Sequence, residues 1–528
     1  MSRLSRLWPA ALAGILAAAL GLGVAELLAG LLNRGITPVL AVGEAVIELS
    51  PTWLTEWAIE TFGTADKAVL IGGVVLVLAV FAGAIGVLAV RHRRAGMLAA
   101  AALGVVAGIA VWSRPDAVPY DLLPVVAGAG AAVLALPPLA RRAAAESAGQ
   151  RAGADPTLEP VDATPAVPQA RTDRRAFLQA AGVTAAAAVV AGAAGQLLGG
   201  RRRAVEASRT DVDVALPRPL PTAEPVPGAD LEVDGGEPWL TPNDDFYRID
   251  TALSVPLIHP DDWQLRVHGM VDQEVVLGFD DLVALGLVDR WVTLCCVSNS
   301  VGGNLIGNAL WTGVRVSDVL GLAGPHADAD AVLSTSHDGW TCGTPLDVLT
   351  DGRDSIFAVG MNGEPLAVEH GFPVRMVVPG LYGYVSATKW VVDLEVSRFD
   401  EITAYWTSRG WSARGPVKVS SRIDVPRSGA AVPSGQVAVA GVAWAQHRGI
   451  EAVEVRVDGG PWQKADLGEV PSSDTWRQWV WHWDAAEGRH DLEVRAITAD
   501  GEEQTGTERP PAPDGATGWH GVSVTVQG

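Results

Sequence analysis

Two cysteines stand side by side, Cys295 and Cys296, followed by Asn299 and by the glycine-rich run Gly302-Gly303-Asn304-Leu305-Ile306-Gly307-Asn308. A thiolate is a soft ligand suited to a soft or high-valent redox metal. The β-rich run 291–297 predicts a strand, and neighbours on a strand point to opposite faces. The two sulfurs therefore cannot easily ligate one metal together; one can face a site while the other packs. Taken alone, the pair reads more readily as two small core residues, because free cysteine is among the most buried types. The glycines match neither a Walker loop nor a dinucleotide fingerprint. Only Cys342 joins these two, so a disulfide scaffold and a four-thiolate zinc site are excluded, and no Cys-x-x-Cys-His is present for haem attachment.

The elements that must position these residues belong to a chain of 528 residues, long enough for three or four folding units. Charged residues are 19% and hydrophobic ones 48%, which excludes global disorder. The net charge of −21 argues against nucleic-acid binding. That charge is uneven. Residues 1–204 hold 17 Lys+Arg against 13 Asp+Glu, whereas residues 205–528 hold 22 against 47. A nearly neutral Ala/Leu/Val/Gly-rich half precedes an acidic, Trp-rich half.

The first half predicts membrane helices at 9–32, 68–90, 95–112, 122–140 and 176–199, each near the twenty apolar residues a bilayer core requires. The Arg3/Arg6, Arg91/Arg93/Arg94 and Arg141/Arg142 clusters fall in the cytoplasm by the positive-inside bias, with Trp53, Glu56, Trp57 and Glu60 outside. Residues 1–140 thus form a four-helix transmembrane region and 141–171 a cytoplasmic Ala/Pro/Gly-rich linker. Thr172-Asp173-Arg174-Arg175-Ala176-Phe177-Leu178-Gln179 resembles a twin-arginine export signal opening a fifth helix at 172–200, although Arg201–Arg203 beyond it oppose the bias. The only histidine of this half, His92, lies in a loop, so the bundle reads as an anchor with no haem.

In the second half, 201–235 reads as a Pro-rich linker. Trp263–Gly269 alternates as a strand, and Phe279–Leu285 suits a short helix. Further alternation at 436–445, 453–457, 476–483, 491–497 and 522–526, with a hairpin signal at Asp458-Gly459-Gly460, predicts a β-sandwich tail. Trp476, Trp479, Trp481 and Trp483 are expected in its core and at an interface.

Thr293-Leu294-Cys295-Cys296-Val297-Ser298-Asn299 with Ile306–Gly313 resembles the molybdenum-binding stretch of the sulfite oxidase family. So do Met361–Leu366, the run from His370-Gly371-Phe372-Pro373-Val374 to Arg375, Val378-Pro379-Gly380 and Lys389-Trp390, in the family's order. The chain is thus expected to be an α-helical membrane bundle followed by a mixed α+β domain and a C-terminal immunoglobulin-like β-sandwich; the resemblance, which covers about 236–528, implies that 236–415 is a sulfite-oxidase-like molybdopterin domain and that the sandwich at 416–528 serves dimerisation. It implies that Cys296 ligates molybdenum, with Asn299 in the same motif. His370, Arg375 and Lys389 hold the phosphate and pterin of the cofactor. Asp338 fills an acidic pterin contact at altered spacing, and Phe246-Tyr247-Arg248 takes the place of an aromatic pair and arginine, offset by about one residue.

The departures bear on substrate. Trp411 stands where the family has a tyrosine beside the metal; Ser300 and Leu310 replace two arginines of the anion pocket. Arg248, Arg409 and Arg448 remain to supply charge. The expected function is two-electron oxygen-atom transfer at molybdenum-molybdopterin, with sulfite or a related sulfur oxyanion as default substrate, a separate electron carrier, a homodimer through the tail, and the catalytic half outside the cell membrane. The alternatives are reduction of S-oxides or N-oxides on the same cofactor, or a cofactor-free cell-surface binding protein.

Overall fold

The computed structural model describes residues 7–32, 37–51, 54, 57, 61–62, 66–114, 117–152, 169–198 and 200–528. Arg3, Arg6, Trp53, Glu56, Glu60 and the middle of the expected linker at 141–171 lie outside the described residues. The chain divides into two compact units, Met1–Ala204 with Ala252–Leu257, and Val205–Thr251 with Ile258–Gly528.

The first unit is helical: α1 Trp8–Leu31, α2 Pro38–Leu49, α3 Asp66–Arg91, α4 Arg93–Trp112, α5 Leu122–Ala152 and α6 Gln169–Leu198. Among the described residues, five helices are long and apolar enough to cross a membrane, in the five places the hydropathy predicts. Small residues let their backbones approach closely: a Cβ on Gly14 would overlap Gly86, and one on Gly21 would overlap Gly128. Ala13, Ala17, Leu136, Leu139, Ala143 and Phe177 share the core. Phe177, of the Arg-Arg-x-Phe-Leu run, is fully buried there, its ring edge-on to Trp8.

Two linker expectations are corrected. Helix α5 runs through Pro137 and Pro138 to Ala152, so 141–152 is helical. The helix formers Arg141-Arg142-Ala143-Ala144-Ala145-Glu146 carry it onward. Helix α7, Arg201–Ala215, occupies the start of the second linker. Its run lacks Pro and Gly, and Val205, Ser208, Val212 and the following Leu216 are buried at helical spacing. Arg209 on α7 donates from Nε to the Leu366 carbonyl at 2.8 Å and from Nη2 to that of Pro365 at 2.9 Å.

In the second unit the elements run β1 Gln264–Gly269, β2 Val275–Gly278, α8 Phe279–Ala284, β3 Val288–Cys295, β4 Ile306–Arg315, α9 Val316–Ala323, β5 Ala331–Ser336, β6 Thr341–Pro345, α10 Leu346–Thr350, β7 Ile356–Met361, β8 Glu364–Pro365, β9 Arg375–Val377 and β10 Val391–Ser397. They form two sheets, ordered β2-β1-β10-β5-β6 and β3-β4-β7-β8, with β9 also pairing β7. Only β1 and β10 pair in parallel in these sheets. Strand β3 ends at Cys295, paired with Ile306, so Cys296 opens the following loop rather than continuing a strand.

The tail holds β11 Ser420–Val425, β12 Ala431–Pro433, β13 Gly435–Trp444, β14 Ile450–Val457, β15 Gln463–Lys464, β16 Asp466–Leu467, β17 Arg477–Ala485, β18 Gly488–Thr498 and β19 His520–Gln527. Two sheets, β11-β13-β17-β16 and β12-β19-β18-β14-β15, face each other across a core containing Val439, Val453, Trp479, Trp483, Leu492 and Val524. Trp481 packs on that core from its edge.

Thr293 joins the tail to the strand that carries the cysteines. Its Oγ1 donates to Asn308 Oδ1 at 2.9 Å and accepts the Trp476 amide at 2.8 Å; its own amide donates to the Asp474 carbonyl, and its carbonyl accepts from Gln446 Nε2. Trp476 Nε1 donates to the Trp239 carbonyl at 2.9 Å. Thr293 is buried, so replacing its hydroxyl strands a buried donor and acceptor. Thr293→Val is therefore expected to destabilise this unit by about 1–3 kcal/mol, read as a lower denaturant midpoint of tryptophan fluorescence in the purified full chain.

Candidate active site

The loop after β3 is built on its own backbone. The Cys296 amide donates to the Leu305 carbonyl at 2.9 Å, closing the base. Inside, the Asn299 amide donates to the Cys296 carbonyl and Asn299 Oδ1 accepts the Leu305 amide at 2.9 Å. Cys295 is enclosed and its Sγ points to the Cys296 carbonyl at 3.5 Å. Cys296 is 9% exposed. Burial pushes both thiols up, against hydrogen bonds from Ser298 at Cys296 and from Asn299 at Cys295.

A second group comes from the segment around β9. Arg375 begins this three-residue strand, and His370 lies on the short turn before it. Arg375 is 5% exposed. It donates from Nη1 to the His370 carbonyl at 3.2 Å and lies 5.0 Å from the centroid of the Trp311 ring. Among the described residues no carboxylate pairs with it. Burial lowers its pKa to about 10. His370 donates from Nε2 to the Asn243 carbonyl at 3.2 Å, the carbonyl fixing the tautomer. Burial, then Arg375 and Lys389, push His370 down to about 4, so the ring is neutral at pH 7. Lys389 donates to Asp250 Oδ2 at 2.8 Å and to the Glu369 carbonyl at 3.1 Å. Burial brings Lys389 down to about 8, against the pull of Asp250. Arg248, half-exposed, shares that carboxylate at 2.9 Å.

Aromatic rings join the two groups. Phe246 stacks on Tyr247 at 5.3 Å and meets Trp311 and His370 edge-on. Gly307 is required beneath it, since a Cβ there would overlap the Phe246 ring. Burial, then the neighbouring Cys296 and Cys295 sulfurs, push the Tyr247 hydroxyl well up. Tyr382 is pushed up by burial, with Cys295 adding to it.

Of the residues singled out in the sequence, Phe246, Tyr247, Arg248, Cys296, Asn299, His370, Arg375 and Lys389 come together here. Trp411 packs between Tyr384 and Trp406 at 5.9 and 6.2 Å, and Arg409 lies 3.6 Å over Tyr405 with Nη1 on the Tyr405 carbonyl. They form a separate aromatic lobe, with Tyr384 two residues from Tyr382. Asp338 caps its own hairpin, accepting the Trp340 amide at 3.3 Å, and no bond from it reaches the cluster. Arg448 is corrected: Asp500 at 2.7 Å and Glu502 at 2.6 Å take its charge on the tail, and none of its bonds reaches the site.

Sequence reasoning missed Asp250, the shared counter-ion, because its Lys389 partner is 139 residues away. Trp311 beneath Arg375 and Tyr382 beside the cysteines were missed as well. The buried Arg422 on β11 was missed too, its Gly303 partner lying 119 residues away.

The family described as "Oxidoreductase molybdopterin binding domain" matches residues 252–406. The chain is 34% identical over 173 residues to the uncharacterized oxidoreductase YuiH of Bacillus subtilis, covering 31% of this chain and 84% of that protein. It belongs to the molybdopterin-binding oxidoreductases. It is also 31% identical over 303 residues to mitochondrial sulfite oxidase of Mus musculus, covering 49% of this chain and 54% of that one. The chain spans about half the length of the mammalian sulfite oxidases it matches. Sulfane dehydrogenase SoxCD from Paracoccus pantotrophus aligns with a TM-score of 0.45 at 22% identity, over 54% of this chain and 81% of that one.

This molybdopterin oxidoreductase has residues that fit the group. A buried guanidinium without a carboxylate suits an anionic phosphate, and a thiol with its pKa raised by burial gives up its proton when a metal takes its place. His370 resists protonation in the fold. Between about pH 6.5 and 4 the unfolded chain binds that proton and the folded chain does not, so stability falls as pH drops through this window. In the cofactor-free full chain, His370→Gln is expected to flatten the decline in unfolding midpoint between pH 6.5 and 4; an unchanged slope would contradict a buried neutral imidazole.

Proposed function

We propose that this chain is a membrane-anchored molybdopterin oxidoreductase of the sulfite oxidase type, with Cys296 as the protein ligand to molybdenum. The carrying observation is the buried Arg375 guanidinium without a carboxylate, beside neutral His370 and near Lys389. A cofactor-free binding protein would have no use for that unpaired charge.

When bound, the cofactor supplies two-electron oxygen-atom transfer. The chain's own residues do the rest. Arg375, Lys389 and His370 hold the phosphate and pterin; Asp250, shared by Lys389 and the half-exposed Arg248, offsets one of their two charges. Phe246, Tyr247 and Trp311 wall the site and exclude water. The Cys296 loop presents its thiol, and Asn299 keeps that loop closed.

Sulfite or a related sulfur oxyanion is the default substrate. Arg248 is the half-exposed cation beside the cluster that can meet it. A second reading, reduction of S-oxides or N-oxides, is favoured by Ser300, which is exposed, and Leu310, which is buried and apolar, where the resembled family has arginines. Two lost positive charges weaken the attraction for a small dianion.

The domain reading is 1–140 and 172–200 as membrane region, 236–415 as catalytic domain and 416–528 as an immunoglobulin-like dimerisation module. Arg91, Arg93, Arg94, Arg141 and Arg142 face the cytoplasm, and the catalytic half lies outside. A separate carrier handles the electrons. Burial of Phe177 in the bundle core supports retention of the helix that follows Arg174-Arg175.

Two assays on the purified loaded chain decide the reaction: sulfite oxidation with an artificial electron acceptor, and S-oxide reduction with a reduced dye. Sulfite turnover that falls to background in Cys296→Ser is expected. Turnover of S-oxides alone would establish the second reading, and loaded enzyme as active in Cys296→Ser would refute the role of Cys296.

A further inference from the structure

The tip of the Cys296 loop is gripped from the tail. Arg422, on β11, is buried and sends Nη1 to the Gly303 carbonyl at 2.8 Å, across 119 residues of sequence. Its Nε donates to Asp424 Oδ1 at 2.5 Å, two positions along the same strand, and Glu237 lies 3.6 Å from Nη2. The adjoining residue, Gly302, has φ +74°, and a Cβ there would overlap the His520 ring. That ring is fixed in turn: His520 Nδ1 accepts the Ile423 amide at 3.0 Å. The loop whose base is the Cys296–Leu305 hydrogen bond therefore has its tip held between two tail residues.

We propose that Arg422, with His520 behind it, is a positioning residue for Cys296: it fixes the 296–305 loop so that the thiol keeps one orientation. This rests on the reading of Cys296 as metal ligand for its consequence, but not for its geometry. Docking of the tail does not need Arg422, because Thr293, Gln446 and Trp476 already make that joint. The Arg422 bond goes instead to the one loop that carries the thiol. Holding a ligand to within a fraction of an ångström requires such a supporting contact.

The test uses the full chain made in a host that cannot synthesise molybdopterin, so that no metal protects the thiol. Alkylation rates at Cys295, Cys296 and Cys342 are followed by peptide mass spectrometry. Arg422→Ala is expected to speed Cys296 by about tenfold or more, the change in loop opening that loss of a charged hydrogen bond allows, with Cys342 unchanged. Arg422→Lys should fall between. Arg495→Ala, which breaks the tail's 2.6 Å pair with Glu454, should leave Cys296 within about twofold, as a distant site does. If Arg422→Ala does not fold, His520→Ala, which removes the wall under Gly302, should speed Cys296 in the same way. Unchanged Cys296 labelling, all three cysteines accelerating together, or an equal effect of Arg495→Ala would overturn the proposal. No metal enters this readout, so its failure would leave the proposed function standing, and failure of that function would leave this result intact.

Discussion

The structure depends on a guanidinium buried without a carboxylate. Taking an ion out of water costs several kcal/mol unless something answers its charge. Around Arg375 the fold offers only partial answers: the Trp311 ring face and the His370 carbonyl. The neighbours are arranged so as not to worsen the imbalance. His370 is kept neutral, and Lys389 is matched by Asp250. What remains is a preorganised demand for an anion, and an anionic cofactor is what the family provides.

The two sheets and the tail convert that demand into a shaped site. β9 carries Arg375 beside β7, and the β3–β4 hairpin delivers Cys296 at one end and Trp311 within its second strand. The tail contributes no group to the cationic cluster. It fixes the strand before the cysteines through Thr293, and the loop after them through Arg422 and His520. In this chain the tail is thus part of the scaffold of the site.

Much of this was legible in the residues. The apolar runs marked the five long helices because composition alone sets that signal, and period-two alternation marked the tail strands. The residues of the cationic cluster and of the cysteine loop were singled out through the family resemblance, whose motifs are short and local: His370 and Arg375 lie five apart, and Cys296 and Asn299 three. What escaped was long-range. Asp250 meets Lys389, and Arg422 meets Gly303, over more than a hundred residues, and nothing at either position announces the partner. Arg448 was misread because a lone arginine carries no record of the Asp500 and Glu502 that surround it. The linker at 201–215 was misread because the prolines that begin at Pro217 coloured the helix before them.

The central claim is that the Cys296 sulfur sits on molybdenum in a cofactor held by Arg375, His370 and Lys389. The most direct measurement is molybdenum-edge X-ray absorption of the loaded full chain, wild type beside Cys296→Ser. The account predicts that the variant retains cofactor and shows one sulfur fewer in the metal's coordination shell. An unchanged sulfur count, or wild-type protein carrying no molybdenum when made in a cofactor-producing host, would contradict it.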